Sequence, residues 1–495
     1  MINQAWAVGV VSFTAAFKRA GLSVLEERNK RLHYELVAYL EGQGFRVVDP
    51  MRHIATEYAF GACTPDHVSA LAQVLRNEEA ECVVAGLWNW TDCILVRQLA
   101  EEADLPLALF TEDDISFGGQ VAVAAVGATL WQAPPNSHAL RHFRSVDKTE
   151  LVPWIKGMAS LKKIKKGALL LWGGSYCLKM EHLEDDFGIL KSTWVRDILV
   201  ESEYYLVKRC EAIRQEQPDR IQRFIDWLRT AGAQIIFDEE MLNENVFRTQ
   251  VAMYFAAKDR LAELDEEHII GVSIRDQPEL SMEYGVTSCL LPAFLPFSED
   301  SEGPKSIIPT VCEGDVKGLI TCILLYYLCP EAPPLFGDFR IGRNYVVIGN
   351  CGGASIYYAA NSNRASEVLA EVTIRGQCQG ASGGAVGYLG KGDMCITIAR
   401  LTRVRNEYYM QLGVGESFPF PKDVAHNCHI GAMWPFVGVD LGVDPKEILR
   451  TAGSNHYSAI PGDLTQEVTH ACRELGIPVV RLDSIEDMQA FRQSL

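Results

Sequence analysis

Short apolar runs of strand length alternate along this chain with longer stretches whose apolar residues recur at helical spacing. The opening order is "AWAVGVVSF", a helical pattern near Leu25 to Gly42, "FRVVD", a helical pattern near Asp66 to Asn77, "ECVVAGLW", a helix through Leu99, and "LPLALFT". Strand-helix alternation predicts a parallel sheet with helices on both faces, a doubly wound domain over residues 1-160. The pattern restarts at "GALLLWGGSYC" and runs through a helical stretch from about Ser202 to Ala231, "AQIIFDEE", a helix near Asn243 to Leu264, "HIIGVSIRDQ", a helix around Pro278 to Tyr284, and "SIIPTVCE". This predicts a second doubly wound α/β domain over residues 161-330.

After the breaker "CPEAPP" the texture changes. "NYVVIGN", "GAVGYLG", "DMCITIARLTRV" and "EYYMQLGVGES" are β-rich, separated by Gly and polar turns with no helices between them. A C-terminal β-rich, barrel-like domain over residues 331-495 is expected, closed by the strand-helix element "PGDLTQEVTHACRELGIPVVRLD". The fold class is therefore α/β, two doubly wound domains followed by a β-rich one.

One stretch, "VCEGDVKGLITCILLYYLCPEAPPLFGDFR", sits at the junction of the last two regions. Val316, Leu319, Ile320, Ile323, Leu324 and Tyr327 recur at helical spacing, which predicts a helix burying one face and beginning close to Glu313. A carboxylate near a helix N-terminus is stabilised by the dipole, so capping alone accounts for Glu313 or Asp315. Asp338 lies between Phe336 and Phe339 with no helix start beside it. Buried acids need a partner, and Arg340, Arg343 or a metal would each supply one.

Composition narrows the function classes. The chain has 495 residues, 48% hydrophobic and 22% charged, with a formal net charge of -18. That balance excludes a phosphate-backbone partner, because nucleic-acid binding relies on clustered Lys and Arg. The basic run Lys162 to Lys166 reads as a solvated interdomain segment. Fourteen cysteines scattered without a CxxC pair read as reduced, buried thiols. No secretory signal and no run near the ~18 apolar residues of a spanning helix is found, so a cytoplasmic protein without a membrane partner is expected.

Further elements bear on chemistry. Asn455 and His456 sit in the Gly-containing loop "TAGSNHYSAIPGDL", before the last strand-helix unit. His426 and His429 form a His-x-x-His pair lacking further ligands at zinc spacing. "GGSYC", with Ser175, follows a strand and presents backbone N–H groups at a tight Gly turn. The Gly-rich "GQCQGASGGAVG" lacks the strand-helix setting of a dinucleotide fingerprint. Two carboxylates and one imidazole together would suit a hard or borderline divalent ion such as Mn²⁺, with positions left for substrate oxygens.

"TVCEGDVKGLIT", "LFGDFR" and "GSNHYSAIPGDLTQEVTHACRELGIPVVRLD" resemble the metal-binding segments of the L-fucose isomerase family, and the layout of two α/β domains plus a β-rich domain resembles that family too. The resemblance implies that Glu313, Asp338 and His456 are manganese ligands. A Glu, Asp, His set sides with the fucose branch over the arabinose branch, which uses two Glu and two His. It further implies a substrate-contacting Gln277, an aromatic from the first domain (Trp88 or Trp90), and substrate contacts from Asn455, Trp434 and Ser175. A homo-oligomer, a hexamer with sites between subunits, is implied as well.

The chemistry so implied is aldose-ketose interconversion of an open-chain sugar through an enediolate, with Glu313 and Asp338 as the acid and base. The sugar stays open among a pentose, a 6-deoxyhexose and a C6-modified hexose, including a sulfonated one. For an anionic sugar, Arg19, Arg52 and Arg275 are the candidate cations. The rival readings are a non-catalytic sugar-binding protein, which would carry an export signal and need no metal triad, and an epimerase or aldolase using related chemistry.

Overall fold

The structure, a computed structural model, describes residues 6–16, 23–54, 60–135, 137–238, 240–377, 382–427 and 434–495, without the side chains of 23, 24, 426 and 427. His426, His429 and Arg19 therefore lie outside the described side chains. The chain divides into two compact units, one of Asn3–Lys162 with Gln466–Gly476, the other of Lys163–Thr465 with Ile477–Leu495.

The first unit holds strands β1 (Ala7–Phe13), β2 (Arg46–Val48), β3 (Cys82–Leu87), β4 (Leu107–Phe110) and β5 (Phe143–Ser145). They form a parallel sheet in the order β2-β1-β3-β4-β5. β1 and β3 are buried along their whole length, as expected of a sheet covered on both faces. Lys162 to Lys166 are no linker: Lys148–Lys166 is one helix.

In the second unit the strands begin with β6 (Ala168–Trp172), β7 (Asp197–Glu201), β8 (Gln234–Ile235), β9 (Ile269–Ile274), the short hairpin β10 and β11 (Glu299–Asp300, Gly303–Pro304) and β12 (Thr310–Cys312). A second parallel sheet runs β12-β9-β6-β7. The helical stretch after Ser202 breaks into Glu203–Glu216 and Pro218–Thr230, because Pro218 cannot continue the first helix but suits the first turn of the next. The stretch at Pro278 to Tyr284 forms a π-helical turn over Glu279–Tyr284.

The remaining strands are β13 (Leu335–Ile341), β14 (Val346–Gly349), β15 (Thr373–Gly376), β16 (Gly384–Gly387), β17 (Met394–Val404), β18 (Glu407–Phe418), β19 (Phe436–Asp440), β20 (His456–Pro461) and β21 (Val479–Arg481). β17-β20-β13-β14-β19-β18 pair in that order, and β18 pairs back on β17, closing a six-stranded antiparallel barrel with β21 added parallel to β18. The expected β-rich region is thus a true barrel, with two corrections. "GAVGYLG" is not a barrel strand and touches the barrel only through a bridge from Leu389 to Phe436: β16 pairs with β15, and β15 takes β8 as its other neighbour, so the "AQIIFDEE" strand also leaves the parallel sheet. Short helical turns, Ile356–Ala359, Ala365–Val368 and Leu369–Glu371, fill the connection between β14 and β15.

The helix Val316–Leu328 departs from the one-faced pattern. Every residue in it is buried, Lys317 included. Its neighbours explain this: β9 and β12 of the parallel sheet pack on one side and β17 and β20 of the barrel on the other. A helix enclosed by two sheets has no solvent face to keep polar.

Candidate active site

The N-terminus of that central helix points to where the carboxyl end of the parallel sheet adjoins the barrel. β12 ends at Cys312, and Glu313 and Gly314 follow with φ of 63° and 68°, two successive left-handed residues. Gly314 tolerates this conformation, and space demands it too: a Cβ there would come 2.4 Å from Tyr176 N. Tyr176 N donates to Gly314 O at 3.0 Å, tying the "GGSYC" turn and Ser175 to the Glu313 turn. Asp315, not Glu313, then caps the helix, accepting from Gly318 N at 2.8 Å. With capping assigned to Asp315, Glu313 is left for other contacts.

Barrel register supplies the other two side chains. Asp338 on β13 stands directly opposite His456 on β20. His456 opens that strand instead of lying in the preceding loop, and is 2% exposed. Its Nε2 lies 3.1 Å from Glu313 Oε2 and 3.7 Å from Asp338 Oδ1, and its Nδ1 lies 2.9 Å from Asp315 Oδ2. Glu313, Asp338 and His456, distant in sequence, are brought together. Neither Arg340 nor Arg343 forms an ion pair with Asp338 among the described residues; Arg340 instead stacks 4.7 Å over the Trp434 ring.

Each group is held by a further shell. Asn455 Nδ2 donates to Asp338 Oδ1 at 3.1 Å, and Asn455 Oδ1 accepts from His182 Nε2 at 2.9 Å. Asp315 Oδ2 also accepts from Arg400 Nη1, and both side chains are fully buried. Asp185 accepts from Lys317 Nζ at 2.8 Å, from Arg403 Nη1 at 3.1 Å and from Tyr408 Oη, which fastens the segment bearing His182 to the helix and the barrel. Asp276, beyond β9, is buried and accepts from Ser288 N and Oγ at 2.9 and 2.7 Å.

Electrostatics follow from these contacts. Burial opposes the Asp315 charge, but Arg400 and His456 outweigh it and hold the carboxyl well below its usual range. Burial also opposes protonation of His456, yet its bonds to Asp315 and Glu313 push it up to about 9. Burial raises Asp338, against the pull of His456.

The donor chemistry fits a divalent cation: two carboxylates face one imidazole nitrogen, and the other nitrogen is fixed by an outer carboxylate, the arrangement that orients a metal-binding His. Among the described residues, no group of three His, Cys, Asp or Glu is already spaced as a metal shell. Glu313 and His456 are in direct contact here.

The other predicted residues are distributed more widely. Gln277 follows β9, whose register with β12 sets it on the same sheet edge as Glu313. Trp434 is 5% exposed, in an aromatic cluster with Phe420 and Phe436. Trp88 belongs to the other unit, 1% exposed, with Nε1 donating to Ser12 Oγ at 2.8 Å, while Trp90 is 43% exposed. Arg52 pairs with Asp49, and Arg275 with Glu279.

Residues 348–483 match the family described as L-fucose isomerase, C-terminal domain, a span that includes Arg400, Asn455 and His456. A curated relative, sulfoquinovose isomerase of Alkalicoccus urumqiensis, is 22% identical over 267 residues, 53% of this chain and 54% of that protein. The chain thus spans about half the length of the curated relative it matches. Among solved structures, a periplasmic solute-binding protein of an ABC transporter from Actinobacillus succinogenes 130z, with bound D-allose, aligns at 12% identity over 56% of this chain and 81% of that one, with a TM-score of 0.17 that carries no argument.

Proposed function

We propose that this chain, which belongs with the L-fucose isomerase family through its C-terminal domain, is a divalent-metal-dependent aldose-ketose isomerase acting on an open-chain sugar. The observation that carries this reading is the approach of Glu313 and Asp338 to one edge of the His456 ring while Asp315 occupies the other. Glu313, Asp338 and His456 would hold the ion, Mn²⁺ being suited to such a set. The ion supplies Lewis-acid polarisation of the sugar carbonyl and stabilises negative charge developing on its oxygens.

The chain's own residues do the rest. One proton leaves C2 and one reaches C1, while the O2 proton is transferred to O1; Glu313 and Asp338 divide these transfers between them. Asn455 holds the Asp338 carboxylate in place, and Asp315 fixes the ring of His456. Gln277, Ser175 and Trp434 are proposed to contact the sugar, with an aromatic of the first unit, Trp88 or the more exposed Trp90, completing the pocket from a neighbouring subunit of a hexamer. Free cysteines among the described residues suit a reducing, cytoplasmic setting.

The substrate class includes 6-deoxyhexoses, pentoses and C6-modified hexoses, with a sulfonated sugar supported by the name of the curated relative. Incubating the Mn²⁺-supplemented protein with L-fucose, L-arabinose and sulfoquinovose and identifying products by NMR tests the reading. A ketose supports it. A C2 epimer, a cleavage fragment, or binding without turnover across a broader aldose panel would replace it with one of the rival activities.

A further inference from the structure

Beyond the carboxyl ends of β6, β7 and β9 lies a cavity of about 650 Å³ whose lining does not include the Glu313, Asp338 and His456 group. Ligands of open α/β sheets settle at this edge, and here the strand order turns, since β7 lies to one side of β6 and β9 to the other. Gly173 borders the cavity with φ of 85°, and a Cβ there would come 2.7 Å from Glu203 Oε1. Missing that side chain, position 173 leaves room for the carboxyl of Glu203.

Glu203 is 4% exposed, and its Oε1 has no hydrogen-bond partner among the described residues. Burying such a group without a partner is costly, so a native fold that keeps one in a cavity wall points to a missing ligand. Glu279 Oε2, in the same wall, is likewise unpartnered. Burial pushes the Glu203 carboxyl up to about 8, against the pull of Arg275.

Charge selects the class of ligand. Arg275 is paired with Glu279 through Nη2, its Nε having no hydrogen-bond partner among the described residues, and Glu201 is paired with Arg260 at 3.0 Å, which leaves Glu203 and the solvent-facing Glu283 as excess acids around the cavity. An anion would meet two acids without a cation of their own, whereas a cation beside Glu203 favours release of the proton that burial otherwise holds there. Tyr204 and Tyr284 complete the lining, and aromatic rings attract cations; Lys208 already lies 5.5 Å from the Tyr204 ring while paired with Glu211.

We propose that this cavity binds a small primary-amine cation, with Glu203 and Glu279 as acceptors and Tyr204 and Tyr284 as flanking walls. The site is independent of the isomerase reading and does not need the metal. Isothermal titration calorimetry of the full chain with n-butylamine, at near-neutral pH and physiological salt, tests it against sorbitol and inorganic phosphate as probes. The expected result is amine binding weakened about tenfold or more in Glu203→Gln, with no heat from sorbitol or phosphate. Val207→Phe, which fills the cavity without removing an acid, should abolish binding as well, and it decides the matter where circular dichroism shows that the Gln variant does not fold. No amine binding by the wild type, equal affinity in a folded variant, or equal binding of sorbitol or phosphate would overturn the proposal.

Discussion

His456 Nδ1 lies 2.9 Å from Asp315 Oδ2, and the same carboxylate oxygen accepts from the fully buried Arg400. The capping residue of the central helix therefore also fixes the ring that faces Glu313 and Asp338. Arg400 Nε and Nη2 have no hydrogen-bond partner among the described residues, so Asp315 is the anion that offsets this buried charge.

Replacing that anion separates stability from chemistry. Asp315→Asn keeps a capping oxygen but strands Arg400, and is expected to cost about 3–5 kcal/mol in urea denaturation. Adding Arg400→Met to it should recover most of the stability. Catalytic efficiency should stay roughly 10–100-fold down in both variants, because the imidazole has lost its charged orienting partner. Recovery of kcat/KM together with stability would show that Asp315 acts through the fold alone.

Gly314→Ala tests the turn that presents Glu313. The left-handed backbone alone costs on the order of 1 kcal/mol, and the contact with Tyr176 N adds to it. Thermal unfolding should shift down by several degrees, and activity should fall further than the stability loss explains, since the turn carries the carboxylate with it.

Asp185→Asn removes the charge and one of the two carboxylate oxygens that Lys317, Arg403 and Tyr408 share. Faster amide hydrogen exchange is expected around residues 181–185, with exchange in the barrel strands unchanged. kcat/KM should drop because His182 no longer supports Asn455 at Asp338. Unchanged exchange in that segment would contradict the anchoring role.

Much of this architecture was legible in the primary structure because periodicity reports burial. The strand-helix alternation before Ser160 and the alternating "CITIARLTRV" run each identify an element whose faces differ in exposure or are wholly buried. β15 escaped, and β8 reads as a strand but of the wrong sheet, because strands of two to four residues carry too little pattern to reveal a partner. Asp338 stood out as an acid set between phenylalanines, whereas Glu313 had a capping reading and His456 a loop position, and the resemblance to a family grouped the three. A comparable signal was present at Arg400, set between Ala399 and Leu401, and was passed over; nothing local marks His182, whose contact with Asn455 depends on long-range packing.

Titration of Glu203 gives a pH signature. Folded, its carboxyl holds a proton up to about 8; unfolded, it releases it in the ordinary carboxylate range. Between those limits the unfolded chain binds fewer protons, so this group lowers stability as pH rises toward 8 and has no further effect above it. Glu203→Gln removes the loss. Its melting temperature should approach or exceed that of the wild type by several degrees at pH above 8, while the difference shrinks or reverses under acid conditions. Parallel pH profiles for the two proteins would contradict the buried-acid account.

Equilibrium dialysis against Mn²⁺ after chelator treatment tests the central claim most directly, comparing the wild type with folded Glu313→Gln, Asp338→Asn and His456→Ala. The wild type should retain one ion per chain, and each variant should bind it at least about tenfold more weakly. A wild type that binds no manganese, or variants that bind it as tightly as the wild type, would contradict the assignment of these three side chains to one ion.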